Sequence, residues 1–373
     1  MQAYHSDPEY YADRALGLLA SAEDGTPGAV AAFGELPLTA EGARTALARE
    51  HGFATWRELL KHVSQVGDEP FARAYRAVES RDLDGLAAIV DEHPEVVHIR
   101  GTNGNDLLGM AGATCDERLG KVLLDRGADP SRGNVHGWTP LHQAAYSNLP
   151  LLLDLLLEAG APTDVSARGD GGTPLVVALF WGNREAAEKL AEHSLAPGNL
   201  RVAAGLGRID LLDGAGGEHR QFYRPHSGFP RWQPADDPTE VLNEALTWAA
   251  RNDRTEALEA LVAKGADLEA DVYRGTPLLW AAAQGKAAAV RKLVELGVNV
   301  NAQATFGGPG HGKDVTALHL AAQNNSLDVI GVLLDAGADP GIRDGLFDST
   351  PAGWAEHCGS PEALERLVSV AGG

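Results

Sequence analysis

The chain has 373 residues, 44% of them hydrophobic, and a formal net charge of −21. That length and apolar content suit a large folded core and exclude a disordered chain. The acidic balance argues against nucleic acid, since it repels a phosphate backbone and no basic stripe runs along a helix face; no run nears the roughly 20 apolar residues of a membrane span, and no basic-then-apolar segment opens the chain, so no membrane partner is expected and the cytoplasm is the expected address.

Residues 1–66 carry no repeat signature. Within them, 40–50 read as a helix, and Thr55 with Glu58 three residues on forms a capping box for a second, in which Trp56, Leu59, Leu60 and Val63 share one face. Four units follow, at about 69–103, 104–135, 136–169 and 170–197. In the first, Ala72, Tyr75, Val78, Leu86, Ile89 and Val90 keep helical spacing. Thr114 and Glu117 predict a second capping box in the next. The pattern breaks after Ala196: Leu200–Leu212 reads as a unit without its opening loop, and an insertion rich in aromatic residues, arginine and proline follows. Asp237, Pro238 and Glu240 then restart a helix with a cap, a proline at its first position and an acid in its first turn. The organisation read from these signals is a helical N-terminal segment at 1–66, repeats at 67–216, the insertion at 217–237 and further repeats at 238–373.

The units share two markers. Thr139-Pro140-Leu141-His142 returns as Thr173-Pro174-Leu175, Thr276-Pro277-Leu278, Thr316-Ala317-Leu318-His319 and Thr350-Pro351, and the same step of 34 residues separates Thr139 from Thr173 and Thr316 from Thr350. Each apolar helical run then closes on a glycine, at Gly127, Gly160, Gly265, Gly297 and Gly337, which suits the left-handed position that ends a helix. A period of about 33 residues marks a stacked array. These motifs resemble the ankyrin repeat from about Pro70 to the C-terminus. The resemblance implies an all-α, ankyrin-repeat solenoid of paired antiparallel helices with β-turn fingers, here with a helical N-terminal cap over the first repeat and a mid-array insertion. The short leader is similar to those ahead of bacterial arrays, and abundant alanine with more arginine than lysine suits a GC-rich bacterial genome. Cys115 and Cys358 fall in distant repeats, so no disulfide is expected and both are read as reduced, buried or free.

In the resembling family the finger tips and the ends of the first helices face a concave groove. The matching positions here are His136, Trp138, Tyr146, Phe180, Trp181, Tyr273, Arg274, Lys313 and Phe347, with Arg251 and Asn252 among the inner ones; the insertion adds Arg224 and Trp232. Aromatic side chains aligned on a solvated face point to binding, and the alternative is that they pack beneath the insertion. Arg220, Arg224 and Arg231, with Arg274, Lys313 and Arg343, either present guanidinium forks to a carboxylate or phosphate or pair with acids such as Asp271, Asp314 and Asp344 to pin the loops. His142 and His319 belong, by the resemblance, to the fold's own hydrogen-bond network. Gly307–Gly312 is read as a flexible finger tip. No cofactor is expected and no metal, because no histidines or cysteines stand at ligand spacing.

Two functions remain open at this level. One is a non-enzymatic module that holds a partner protein, basic or mixed in charge, in the concave groove. The other is a ligand-binding protein or acid–base enzyme of cyclase, isomerase, lyase or hydrolase type, acting on a small organic molecule in a pocket closed by the 217–237 insertion. In that case His226 or His357 transfers the proton and Tyr223 polarises an oxygen. An open trough exposing Tyr146, Trp181 and Tyr273 favours the first, and a deep enclosed pocket the second.

Overall fold

The computed structural model describes two units, one by its residues 3–169, 171–178 and 185–193, the other by 179–184, 198–213, 235, 237–307 and 311–371. Helices joined by tight turns dominate both. No helix among the described residues is long and apolar enough to cross a membrane.

The first unit opens with α1 (Pro8–Glu23), α2 (Pro27–Phe33), α3 (Ala40–Glu50) and α4 (Trp56–Val63), which close around Tyr11, Leu18, Phe33, Leu47, Leu59 and Val63. The Thr55–Glu58 capping box opens α4 as expected. Helix pairs follow: α5 (Pro70–Glu79) with α6 (Leu83–Glu92), α7 (Leu107–Ala113) with α8 (Glu117–Leu124), and α9 (Pro140–Tyr146) with α10 (Pro150–Glu158). First members pack on first members and second on second, so the pairs stack in two layers. In α10, Leu152, Leu153 and Leu156 are fully buried while Leu151 is 64% exposed. Each such leucine contributes about 1.5–3 kcal/mol to the stack. α11 (Pro174–Phe180) and α12 (Arg184–His193) contribute residues to both units.

Every turn between paired helices holds one residue in the left-handed region, namely Arg81, Cys115, Asn148, Gly182, Asp253, Gly285, Asn325 or Gly359. A Cβ costs roughly 1–2 kcal/mol there, least in Asn and Asp, and Arg81 and Cys115 bear that cost. The turn at Cys115 also separates Thr114 from the helix it was expected to cap. Thr114 makes no capping box with Glu117; it ends α7, donating to the Ala111 carbonyl, and Asp116 caps α8. Glu117 accepts instead from the Leu152 amide at 2.5 Å, tying one repeat to the next. Cys115 and Cys358 are free and exposed rather than buried.

In the second unit α13 (Leu200–Leu206) packs on α14 (Pro238–Arg251), which starts at the Asp237 cap and Pro238 as read. Among the described residues the partner helix of α13 is reduced to one 3-10 turn, Ile209–Leu211. The stack continues with α15 (Thr255–Ala263), α16 (Pro277–Ala283), α17 (Ala287–Glu295), α18 (Ala317–Gln323), α19 (Leu327–Asp335), α20 (Pro351–His357) and α21 (Pro361–Ala371). The finger between α17 and α18 carries a ribbon, in which β1 (Ala304–Phe306) runs antiparallel to β2 (Gly312–Val315); residues 308–310 of the tip expected to be flexible lie outside the described residues. Buried Phe306, 4.6 Å from the Trp280 ring, holds the ribbon down.

Candidate functional site

The repeat threonine and histidine work as a local clamp. Thr139 Oγ1 lies 2.8 Å from His142 Nδ1, the Thr139 amide donates to the same nitrogen at 3.1 Å, and His142 Nε2 donates to the Gly172 carbonyl at 2.9 Å. His319 repeats the arrangement with Thr316 and the Ser349 carbonyl. Burial pulls His142 down to about 4 and lowers His319 as well, so both are neutral structural pins.

In the first unit the N-terminal helices grip the fingers as well as α5. Tyr4 packs on Phe71 and Tyr75, and its hydroxyl donates to Thr102 Oγ1 at 2.9 Å. Glu50, at the end of α3, accepts from the amides of Asn103 and Gly104 at 3.0 and 3.1 Å. Burial raises the Glu50 pKa, and those two amides oppose the rise. Ser21 of α1 lies 2.7 Å from Nδ1 of His136 on the next finger, and Asn103 Nδ2 is 3.5 Å from its Nε2. His136 is therefore buried, and burial together with the Arg168 and Arg14 charges holds its pKa at about 3.

Beside His136 opens a cavity of about 220 Å³, with Arg14 of α1 on one side, Asp106, Arg132, Trp138 and Arg168 of the fingers, and Tyr146 at the end of α9. Trp138 stacks on His142 at 5.3 Å, donates from Nε1 to Gln143 Oε1 at 3.0 Å, and carries the Arg168 guanidinium 5.3 Å from its ring centre. Tyr146 is 40% exposed.

The middle of the second unit is closed. Arg251 is fully buried with its guanidinium carbon 3.5 Å from the Trp280 ring centre and 4.2 Å from that of Phe180, and it donates to the Phe180 carbonyl at 3.1 Å. Burial lowers its pKa to about 9, which leaves it charged at neutral pH. Next to it Arg201 and Glu244, 4% and 5% exposed, form an ion pair at 3.2 Å, with Arg201 over the Trp248 ring.

Further along, a cavity of about 420 Å³ is bordered by His311 of the finger ribbon, Gln323, Phe347, Trp354, His357 and Cys358. Burial lowers the His311 pKa, against a hydrogen bond to Gln323 that favours the protonated ring. Trp354 is set by its Nε1 donating to Asp344 at 3.0 Å. Burial alone would raise the Asp344 pKa, but this indole and the amides of Leu346, Phe347 and Ser349 bring it below the ordinary carboxylate value.

A family model of ankyrin repeats in three copies matches residues 107–200 and 233–304, and a single-repeat model matches 313–345, together more than half of the chain. The chain belongs to the ankyrin-repeat family. Among its relatives, rat protein fem-1 homolog A is 52% identical over 46 residues, which is 12% of this chain and 7% of the rat protein. The Caenorhabditis elegans homolog of transient receptor potential cation channel subfamily A member 1 is 25% identical over 199 residues, 52% of this chain and 16% of the channel protein. The human ASB11 ankyrin repeat domain aligns over 79% of this chain and 96% of its own, at 20% identity and a TM-score of 0.29. The chain thus spans only a small part of these first two relatives.

On this ankyrin scaffold Trp138 and Tyr146 border the first cavity, and Phe347 and His357 the second. Several other positions expected in an open groove are buried. His136 lies under α1; Phe180 and Tyr273 pack at ring distances of 5.5–6.4 Å in the cluster around Arg251 and Trp280, with Trp181 half-buried beside Phe180. Arg251 is in that cluster, and Asn252 donates to the carbonyls of Leu179 and Trp248 at 2.8 and 2.9 Å. Arg274 pins its neighbour finger, donating to the Gly307 carbonyl, and Arg343 bonds the Asp348 carbonyl. Lys313 is exposed on β2. Tyr223, Arg224, His226 and Trp232 lie outside the described residues, as do Arg220 and Arg231. Sequence reasoning missed Arg14, Arg132, Arg168 and Trp354. Of these only Trp354 carried a usable signal, one turn into a helix that opens at the repeat motif of Thr350.

Proposed function

We propose that the chain is a recognition module that holds a partner protein against the finger-bearing face of its repeats. Ankyrin repeats are in general protein-interaction modules, and the observation that supports this reading here is exposure of large aromatic side chains on that face. Tyr146 is 40% and Phe347 62% exposed, at positions where solvated side chains are ordinarily polar. Both sit on rigid helix ends or fingers, so ordering them on binding costs little side-chain entropy. A photo-reactive benzoylphenylalanine placed at Tyr146 or Phe347, in cells, should form one set of protein adducts that is absent when the same group replaces Leu151 or Leu327 on the second-helix layer. Adducts that are equal from all four positions would sink the reading.

A second reading, a small organic ligand, is favoured by the cavity at His311, which at about 420 Å³ falls within the roughly 300–1,000 Å³ of ligand pockets. Its two imidazoles, His311 and His357, are suited to acid–base chemistry. Native mass spectrometry of the purified chain should then show a retained molecule that is lost in His311→Ala. A bare protein in both forms removes this reading.

A further inference from the structure

The cavity between α1 and the fingers of the first unit reverses the charge of the chain around it. Its lining carries three guanidiniums, Arg14, Arg132 and Arg168, and one carboxylate, Asp106, in a protein whose net charge is −21. The charges are held in place. Arg132 donates to the His98 carbonyl at 2.8 Å and lies 3.8 Å from Asp129, Arg14 lies over the Tyr10 ring at 4.9 Å, and Arg168 lies over Trp138. Asp106 is committed to capping α7, accepting from the Gly109 amide at 2.8 Å. The amides that line the same space are committed too: Asn134 accepts from the His136 and Trp138 amides and donates to Asn105, while Gln143 binds Trp138 and Ser147. The cationic groups are thus presented on a rigid floor.

Size and charge together select the occupant. At about 220 Å³ the space is below the range of small-molecule pockets and matches a single side chain entering from a bound segment. Guanidinium forks suit a planar oxyanion, and the Asp106 carboxylate in the lining raises the cost of a dianion such as phosphate over that of a single negative charge. The exposed Tyr146 beside it offers apolar surface to the stem of the entering residue. We propose that this cavity receives the side-chain carboxylate of an aspartate or glutamate in the partner protein, with Arg132 and Arg168 binding the carboxylate and Tyr146 covering its stem. The inference rests on the partner-protein reading and adds a local requirement opposite to the basic partner that the net charge suggests. The neutrality of His136, enforced by burial and by Arg168 and Arg14, agrees with guanidiniums converging there.

The test uses the full chain and a fluorescein-labelled decapeptide alternating Glu with Gly and Leu, read by anisotropy beside its Gln and Lys counterparts. The Glu peptide should bind at least about tenfold more tightly than the Gln peptide, and raising salt from about 50 to 300 mM should weaken it, since partly exposed charges are screened. Arg132→Glu and Arg168→Glu should each reduce binding roughly tenfold or more, and Arg168→Lys should restore much of it, with circular dichroism confirming that each variant is folded. Equal binding of the Glu and Gln peptides, or binding that survives both charge reversals, overturns the proposal. Displacement of the peptide by free glutarate at comparable concentration also overturns it, because the site would then serve a small acid. If no peptide binds while Tyr146 cross-links still single out a partner, the carboxylate assignment falls and the recognition reading stands.

Discussion

The first unit and the middle of the second bury polar chemistry in opposite forms, while His319, further along the second unit, repeats the neutral imidazole of the first. In the first, His136 and His142 are buried as neutral imidazoles, each with hydrogen bonds to groups of another loop or helix. In the second, Arg201, Glu244 and Arg251 are buried as ions, set against one another and against the rings of Trp248, Trp280 and Phe180. A neutral imidazole needs only its hydrogen bonds satisfied and gives way when protons are supplied. A buried ion needs its counter-charge, and gives way when that is deleted. The same repeat scaffold should therefore fail in two distinguishable ways.

The largest effect is expected from Glu244→Leu. It leaves Arg201, 4% exposed, without its 3.2 Å partner, and removing one member of a buried pair costs roughly 3–5 kcal/mol. Urea unfolding should show that loss, and the double variant Arg201→Met with Glu244→Leu should recover much of it. A single variant as stable as the parent would mean that the pair is not buried in solution.

Acid breaks the other side of the comparison. An unfolded histidine takes its proton near 6.5, whereas native His142 takes it only near 4 and His136 near 3. Between those values the unfolded chain binds more protons, so the stability is fully present above about 6.5 and is lost as pH falls toward 4. For His142 alone the shift corresponds to roughly 3 kcal/mol. Hydrogen exchange at pH 7 and pH 4.5 should show protection lost first around α9 and its finger, with α14 and α16 retained, and His142→Gln should flatten the dependence. Equal loss around α14 and α16 would remove the contrast.

How much of this was legible follows from distance along the chain. The helix pairs were readable because their markers are local: Thr-Pro at a helix start and glycine at a helix end act within one turn. α1 was legible only in part: Tyr11, Ala15, Leu18 and Ala22 keep helical spacing, but Ala20 and Ser21 are buried on other sides of the helix, which that spacing does not show. Nor could spacing show that Ser21 meets His136, 115 residues away, or that Phe180, Tyr273 and Arg251 turn toward one another. Repeat alignment located Trp138, Tyr146, Phe347 and His357 beside cavities because these need only a finger or helix end. It missed Arg14, whose place depends on the packing of α1 against another repeat.

The smallest expected effect sharpens the contrast by keeping charge and removing burial. Lys121 and Asp125 form an i,i+4 pair at 2.8 Å on α8, each more than half exposed. Water screens both charges, and such pairs contribute about 0.3–0.5 kcal/mol on average. Lys121→Ala should thus move the urea midpoint barely beyond error, and high salt should erase even that. A loss comparable to that of Glu244→Leu would show that charge itself, rather than its removal from water, sets the cost, and the distinction between the two regions would have to be drawn elsewhere.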